Sequence, residues 1–416
     1  MEQTIKIGVS DPMSPKKQTP TAAATEAVEP NLDRAFDLVM QMMAIPGKTA
    51  FENEVADFIT AQLLAAGAPA DALQRDEAHR KTQIPGNTGN LILKLPGTKR
   101  GPRRMLSAHM DTVPICVGSK PVREGRVVHA ADPHTGLGAD DRAGATAILV
   151  AALEILERGL PHPPLTFSWF IQEEVGLQGA KHVSKSALGN PKLAFNWDGG
   201  APNKMSVGAT GAYRTQITIK GLASHAGGAP EKGISAIAIA ARAIADLDRG
   251  GWHGLVQKGD KSGTSNVGFI HGGEATNVVT DHVELKVEAR SHDPEFRKAM
   301  QAAIEQAFQQ AVDEVKNVDG QTGQVIIESN LQYESFVLAD DEPSVLAAEA
   351  AIQAVGLVPE KAIVNGGLDA NWLTARGIPS VTMGCGQRNP HTVNETLDLD
   401  DFDGACRVAL RLAVGE

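Results

Sequence analysis

The chain has 416 residues, more than the roughly 250 to 300 that one hydrophobic core serves, so it is expected to divide into two or three domains. With 42% hydrophobic and 21% charged residues and no apolar run near the roughly 20 residues of a membrane span, its composition excludes a disordered chain or membrane-spanning helices; a formal charge of −11 without a basic patch argues against nucleic acid or anionic membranes as partners. Three scattered cysteines, Cys116, Cys385 and Cys406, are too few for a disulfide framework or a thiolate zinc site and point to a reducing, cytoplasmic compartment.

Residues 1–30 are rich in Thr, Pro, Ala and Lys, lack the apolar segment of a secretory signal, and are expected to form a flexible tail. Helical periodicity starts near Asn31, where Leu32, Ala35, Phe36, Val39 and Met40 share one face. From there to residue 208, short apolar runs (91–95, 104–108, 165–171 and 193–197) alternate with helical stretches at 143–158 and 180–187. That rhythm predicts an α/β fold with a mainly parallel, helix-covered sheet. Between residues 209 and 333 it changes. A strand (213–220), an alanine-rich helix (234–247), two strands (264–270 and 283–290), a long helix (294–315) and a final strand (324–331) follow the β-α-β-β-α-β order of a ferredoxin-like domain, with four strands and two helices on one face. After it, a helix (342–355), a strand (362–365), a helix (370–376), a strand (381–384) and a last helix (400–414) resume the first pattern. The expected division is a discontinuous domain, 31–208 with 334–416, interrupted by an inserted domain at 209–333.

Chemistry-bearing side chains gather just beyond the strands. Ser107-Ala-His109-Met-Asp111 sets a histidine and a carboxylate two apart, on one side of a strand end, where the acid can hold the imidazole while the other nitrogen binds a metal. Spacing alone decides little, since His282-Val-Glu284 repeats it and reads as the solvated face of a strand. Gly138-Ala-Asp140-Asp141 opens a helix, where acids are also ordinary N-caps; Asp340-Asp341 and Asp400-Asp401 read that way. A glycine loop that carries carboxylates would repel phosphate and suits a cation. Gln172-Glu173-Glu174 sets two like charges after a buried strand, a pairing that a metal on one and a proton on the other would relieve. Asp198-Gly-Gly follows the next strand, and His391 lies in the loop after the strand at 381–384. His109, Asp140, Glu174, Asp198 and His391 thus fall at the edge where open α/β sheets bind ligands. Two imidazoles and three carboxylates match zinc, cobalt or manganese, and five ligands serve two ions if one carboxylate bridges.

These motifs, with Gly221-Leu-Ala-Ser-His225-Ala-Gly227 and Gly366-Gly-Leu-Asp369, resemble the zinc-dependent aminoacylase and peptidase superfamily that includes peptidase T, carnosine dipeptidase, succinyl-diaminopimelate desuccinylase and glutamate carboxypeptidase. The likeness runs from about residue 31 onward. It implies that His109 and Asp198 bind one ion, Glu174 and His391 a second, with Asp140 bridging them through a cis Asp140-Asp141 peptide. Two divalent ions, zinc above cobalt or manganese, would lower the pKa of a water, Glu173 would be the general base, and Asp111 would orient His109. It further implies a lid histidine, His225, as oxyanion donor; Arg290, Asn277, Gly367 and Asp369 as substrate-binding residues; and a homodimer formed through the inserted domain, for which the helix at 234–247 is a possible contact. Asp at position 198 and the 366–369 loop favour the peptidase T branch, hence removal of the N-terminal residue from short peptides. The rival is an N-acyl amino acid deacylase or a carboxypeptidase or dipeptidase of the same superfamily. A non-catalytic metal-binding homologue would have lost a ligand or the base, and none is missing. A cysteine hydrolase built on Cys385 is disfavoured, since a Cys between an apolar strand and a glycine more often packs into the core.

Overall fold

The protein is described by a computed structural model covering residues 28–415. Of the expected tail, residues 1–27 lie outside the described residues, and the boundary at 30 is too late. Val28 packs against the core, the Glu29 carbonyl accepts from Arg158 at 2.9 Å, and its carboxylate pairs with Arg407 at 2.8 Å.

A nine-stranded sheet organises the larger part of the chain. Its four middle strands, Leu165–Phe170, Arg104–His109, Leu193–Trp197 and Ser380–Met383, run parallel. Leu91–Leu95 on one side and Lys204–Ala209 on the other are antiparallel to them, and Glu360–Val364 adds a parallel pairing on Lys204–Ala209. Strands covered on both faces need no polar alternation, and Leu165–Phe170 is buried at every position. Neighbouring residues serve opposite cores, as the two-residue period of a strand requires. Leu93, Leu106 and Phe167 pack with the helices Leu32–Ala44, Ala139–Arg158 and Leu399–Val414, whereas Ile92, Met105 and Phe170 pack with Gln178–His182 and Asp369–Ala375. The helix Ala139–Arg158 is buried continuously from Ala139 to Ile155, because its alanines let it lie between the sheet and the outer helices.

Residues from Gly211 to Tyr333 build a second, antiparallel sheet, in the order Gly254–Lys258, Lys261–His271, His282–Ser291, Gly211–Lys220, Gln324–Tyr333. The helices Ala236–Arg249 and Pro294–Glu314 pack with it around Ile217, Leu285, Ile304 and Phe308. The sheet has five strands where four are expected. The extra edge strand buries only Val256, so no apolar alternation announces it. The helix at 180–187 shortens to Gln178–His182. The acid pairs read as caps need correction too: Asp398, not Asp400 or Asp401, caps the last helix by accepting both their N–H groups, and Asp340 pairs with Lys361. Among the described residues no helix is long and apolar enough to cross a membrane.

Candidate metal centre

The four parallel strands end side by side, and their C-terminal edge carries the chemistry. His109 closes one strand, Glu173 and Glu174 follow the second, and Asp198 follows the third. Asp140 enters from the start of the helix Ala139–Arg158, and the Asp140–Asp141 peptide is cis, as the resemblance implies. His391 reaches in from a loop, with φ +65°, while Gln172, just before Glu173, has φ +51°. Non-glycine residues seldom adopt this left-handed backbone, and such positions cluster at functional sites.

Asp140 sits between two imidazoles. Its Oδ1 lies 3.2 Å from His109 Nε2 and its Oδ2 lies 3.2 Å from His391 Nε2. His391 Nε2 also lies 2.8 Å from a Glu174 oxygen, and donor atoms of His109, Asp140 and Glu174 fall within 4.8 Å of one another. Asp198 stands slightly apart, its Oδ1 accepting from Gln387 at 3.3 Å. Asp111 supports the group from behind. Its carbonyl and carboxylate lie 3.1 and 3.4 Å from His109 Nδ1, and the carboxylate also accepts the N–H groups of Glu173 (2.9 Å) and Glu174 (3.3 Å) and the Thr49 hydroxyl (2.7 Å). It therefore fixes the ring and the glutamate loop together.

The electrostatics show which ligand this cluster favours. Burial pushes the Asp198 carboxyl up to about 7, with Asp140 adding to the effect, and burial raises Glu174 and, more strongly, Glu173. Burial acts on Asp140 in the same sense, but His109 and His391 outweigh it and hold this carboxylate well below its usual range. Asp140 and Glu174, hydrogen-bonded to His391, pull that ring up to about 10. So many acids in a buried space repel one another unless positive charge is supplied. The donor set of imidazole and carboxylate, free of thiolate, fits borderline divalent cations. Asp140, with an imidazole at each oxygen, is disposed as a bridging carboxylate would be.

The remaining expected residues fall into two groups. Arg290 Nε pairs with Glu288 at 2.7 Å and its Nη1 donates to the Asn365 carbonyl at 3.3 Å, which brings it to the 366–369 loop. In that loop Gly367 lies so close to the Tyr333 ring that a Cβ would come within 2.4 Å of it. Asp369 is fully buried, burial pushes it up to about 8, and neither of its oxygens has a hydrogen-bond partner among the described residues. His225 and Asn277 lie together elsewhere: the Ala226 N–H donates to the Asn277 carbonyl at 2.9 Å, and both side chains are exposed. The structure does not bring this pair onto the cluster. His225 Nδ1 accepts the N–H groups of Gly227 (3.1 Å) and Gly228 (2.9 Å), which leaves Nε2 as the protonated, donating nitrogen.

Three supporting carboxylates were not assigned a role from the sequence. Glu395 accepts the N–H groups of Gly138 (2.7 Å) and Asp140 (2.9 Å), and Asp141 accepts the His109 N–H at 3.0 Å. Glu52, fully buried, accepts the N–H groups of Ala50 (2.9 Å) and Gln172 (3.1 Å). Glu395 lies four residues after His391 and Asp141 beside Asp140, so both could be found from those positions; Glu52 adjoins no such residue. Cys385 is buried against the Gly199 carbonyl and Asp141, and burial raises its thiol far above the ordinary value, which removes it as a nucleophile.

Residues 105–414 match the model of peptidase family M20/M25/M40. The protein YqjE of Bacillus subtilis (strain 168) is 32% identical over 374 residues, covering 89% of this chain and 95% of that one. A tripeptidase from Staphylococcus aureus subsp. aureus Mu50 superposes with a TM-score of 0.82 at 30% identity, covering 93% of this chain and 98% of its own. The aminopeptidase PepT of Bacillus cereus ATCC 10987 superposes with a TM-score of 0.79 at 31% identity, covering 93% and 100%. A family match across most of the chain, joined to a cation-demanding cluster at the sheet edge, makes this protein a hydrolase that belongs to peptidase family M20/M25/M40.

Proposed function

We propose that the protein is a co-catalytic metallopeptidase that removes the N-terminal residue from short peptides. The observation that carries this reading is Asp140, with one oxygen 3.2 Å from His109 and the other 3.2 Å from His391. In this reading His109 and Asp198 would hold one divalent ion, His391 and Glu174 the other, with Asp140 serving both. Bound there, the ions, zinc before cobalt or manganese, would polarise the scissile carbonyl and acidify a water. Glu173 then takes a proton from the attacking water and hands it to the leaving amine. Its buried place beside Glu174, with its N–H held by Asp111, suits such a shuttle. Asp111 keeps His109 and the backbone of Glu173 in register. His225, with its Nε2–H free to donate, would stabilise the developing oxyanion.

Substrate is held, in this proposal, by Arg290 at its carboxylate, by Asn277 at a carbonyl, and by Gly367 and Asp369 in the loop beside the site. Because His225 and Asn277 lie apart from the cluster, they reach substrate either when the second sheet closes over the site or from a second copy of the chain. A homodimer through the inserted domain, along the helix Ala236–Arg249 where Ile237 is exposed, fits the latter. The three free, buried cysteines suit work in a reducing cytoplasm.

The names of the Staphylococcus aureus tripeptidase and the Bacillus cereus aminopeptidase support the peptide reading. The test is a screen of metal-loaded protein on Ala-Gly-Gly, N-acetyl-Ala and N-acetyl-Ala-Gly-Gly. Release of free alanine from Ala-Gly-Gly alone is expected; cleavage of the acylated compounds with the free tripeptide intact would transfer the proposal to the deacylases.

A further inference from the structure

Two cavities of opposite character flank the Glu173–Gly176 loop. The larger, about 530 Å³, lies along the second sheet and is lined by Arg214, Lys286, Glu288, Asn330, Gln332 and Gln83, with Arg214 paired to Glu288 at 3.6 Å. It reaches the loop at Gly176, where a Cβ would stand 3.2 Å from Gln332 and 3.9 Å from Arg214. The smaller, about 260 Å³, is lined by Phe51, Ile84, Val113, Pro114 and Val175, together with Glu174, Thr49 and Lys48. Ile84 and Gln83 are chain neighbours, so one short segment divides the two spaces.

The apolar walls stand open: Phe51 is 56% exposed and Ile84 45%, although each lies within a few residues of buried site machinery. Exposed apolar side chains gathered beside a reactive centre mark a ligand surface rather than ordinary scatter. The walls are also tied to the machinery. The Gln172 amide and the Thr82 hydroxyl donate to the Ile84 carbonyl at 3.0 and 2.7 Å. The Thr49 and Thr112 N–H groups bond across to Thr112 and Gly47, and the Thr49 hydroxyl holds Asp111. A space the size of one side chain is therefore built onto the loops that carry Glu173 and Asp111. A short peptide carries its negative charge at its C-terminus, which the net positive lining of the cavity on the Gly176 side, Arg214 and Lys286 against Glu288, and Arg290 paired to the same Glu288 suit. The opposite, apolar cavity is then left for the N-terminal end.

We propose that Phe51, Ile84, Val113 and Val175 form the pocket that receives the apolar side chain of a peptide's N-terminal residue, and that Lys48, its ammonium 5.1 Å from the Phe51 ring, turns away N-terminal Lys and Arg. This rests on the aminopeptidase reading. Full-length, metal-loaded protein should cleave Leu-Gly-Gly with kcat/KM about tenfold above Ala-Gly-Gly, the scale of selectivity an apolar pocket provides. Phe51→Ala and Ile84→Ala should each cut that ratio several-fold and weaken inhibition by free leucine in step. Lys48→Glu should raise the rate on Lys-Gly-Gly relative to Leu-Gly-Gly about tenfold. If both alanine variants keep the wild-type ratio and leucine inhibition, or if only Gly-Leu-Gly against Gly-Ala-Gly responds, the pocket is misassigned while the aminopeptidase reading stands. If wild type leaves Ala-Gly-Gly intact, that reading falls and takes the pocket with it.

Discussion

The sheet edge and the turn at His225 are built in opposite ways. At the edge, Asp140 is fixed by Glu395, His109 by Asp111, and the Gln172–Glu174 segment by Glu52 and Asp111, nearly all of it buried. Such a centre is organised before substrate arrives, and its cost, a crowd of buried acids, is one a pair of cations offsets. His225 is exposed, and among the described residues its ring is held only by the N–H groups of Gly227 and Gly228. The contrast teaches that the first region is preformed, whereas the second has its ring held by its own turn and stands apart from the cluster, so the role proposed for it depends on closure or on a second copy.

The predictions test that division from the largest effect down. Asp140→Asn should abolish activity and lower metal content, because its carboxylate places one oxygen 3.2 Å from each of the two imidazoles; metal titration and turnover measured together check this. Glu173→Gln should keep both metals and lose about 10²- to 10⁴-fold in kcat, the range of a general base; metal loss equal to that of Asp140→Asn would mean that Glu173 is a ligand. His225→Ala should lose about a hundredfold in kcat with metal content unchanged, as expected for removing an oxyanion donor. Mixing Glu173→Gln with His225→Ala protein sharpens the point. Recovery of activity means that His225 acts across a dimer, and no recovery means that it acts within its own chain. The smallest effect belongs to the supports: Glu395→Gln should weaken metal affinity or activity about 10- to 100-fold, the usual scale for groups behind the ligands, and wild-type affinity in that variant would show that the Asp140 loop holds its shape unaided.

Much of this was legible in the sequence because of where the residues fall. The strands at 104–109, 165–170 and 193–197 carry short apolar stretches and are almost wholly buried, so the parallel sheet and its C-terminal edge follow, and the histidine and acids at their ends land at that edge. The edge strand Gly254–Lys258 was not legible, since it hangs on one neighbour and buries a single valine. Glu52 was hidden for a different reason. It supports Gln172 from 120 residues away, and only the packing of the helix that follows it on the sheet makes the two neighbours. The placement of His225 is also beyond the sequence. Its flanking glycines show how its ring is held, but nothing local says which site it serves.

The most direct test of the account is the metal stoichiometry at Asp140, determined by crystallography of zinc-loaded protein with anomalous scattering at the zinc edge. The account predicts two peaks about 3.5 to 4 Å apart, one between His109 and Asp198, the other between His391 and Glu174, with one oxygen of Asp140 on each. A single peak, or two peaks that leave Asp140 bound to neither, would contradict it.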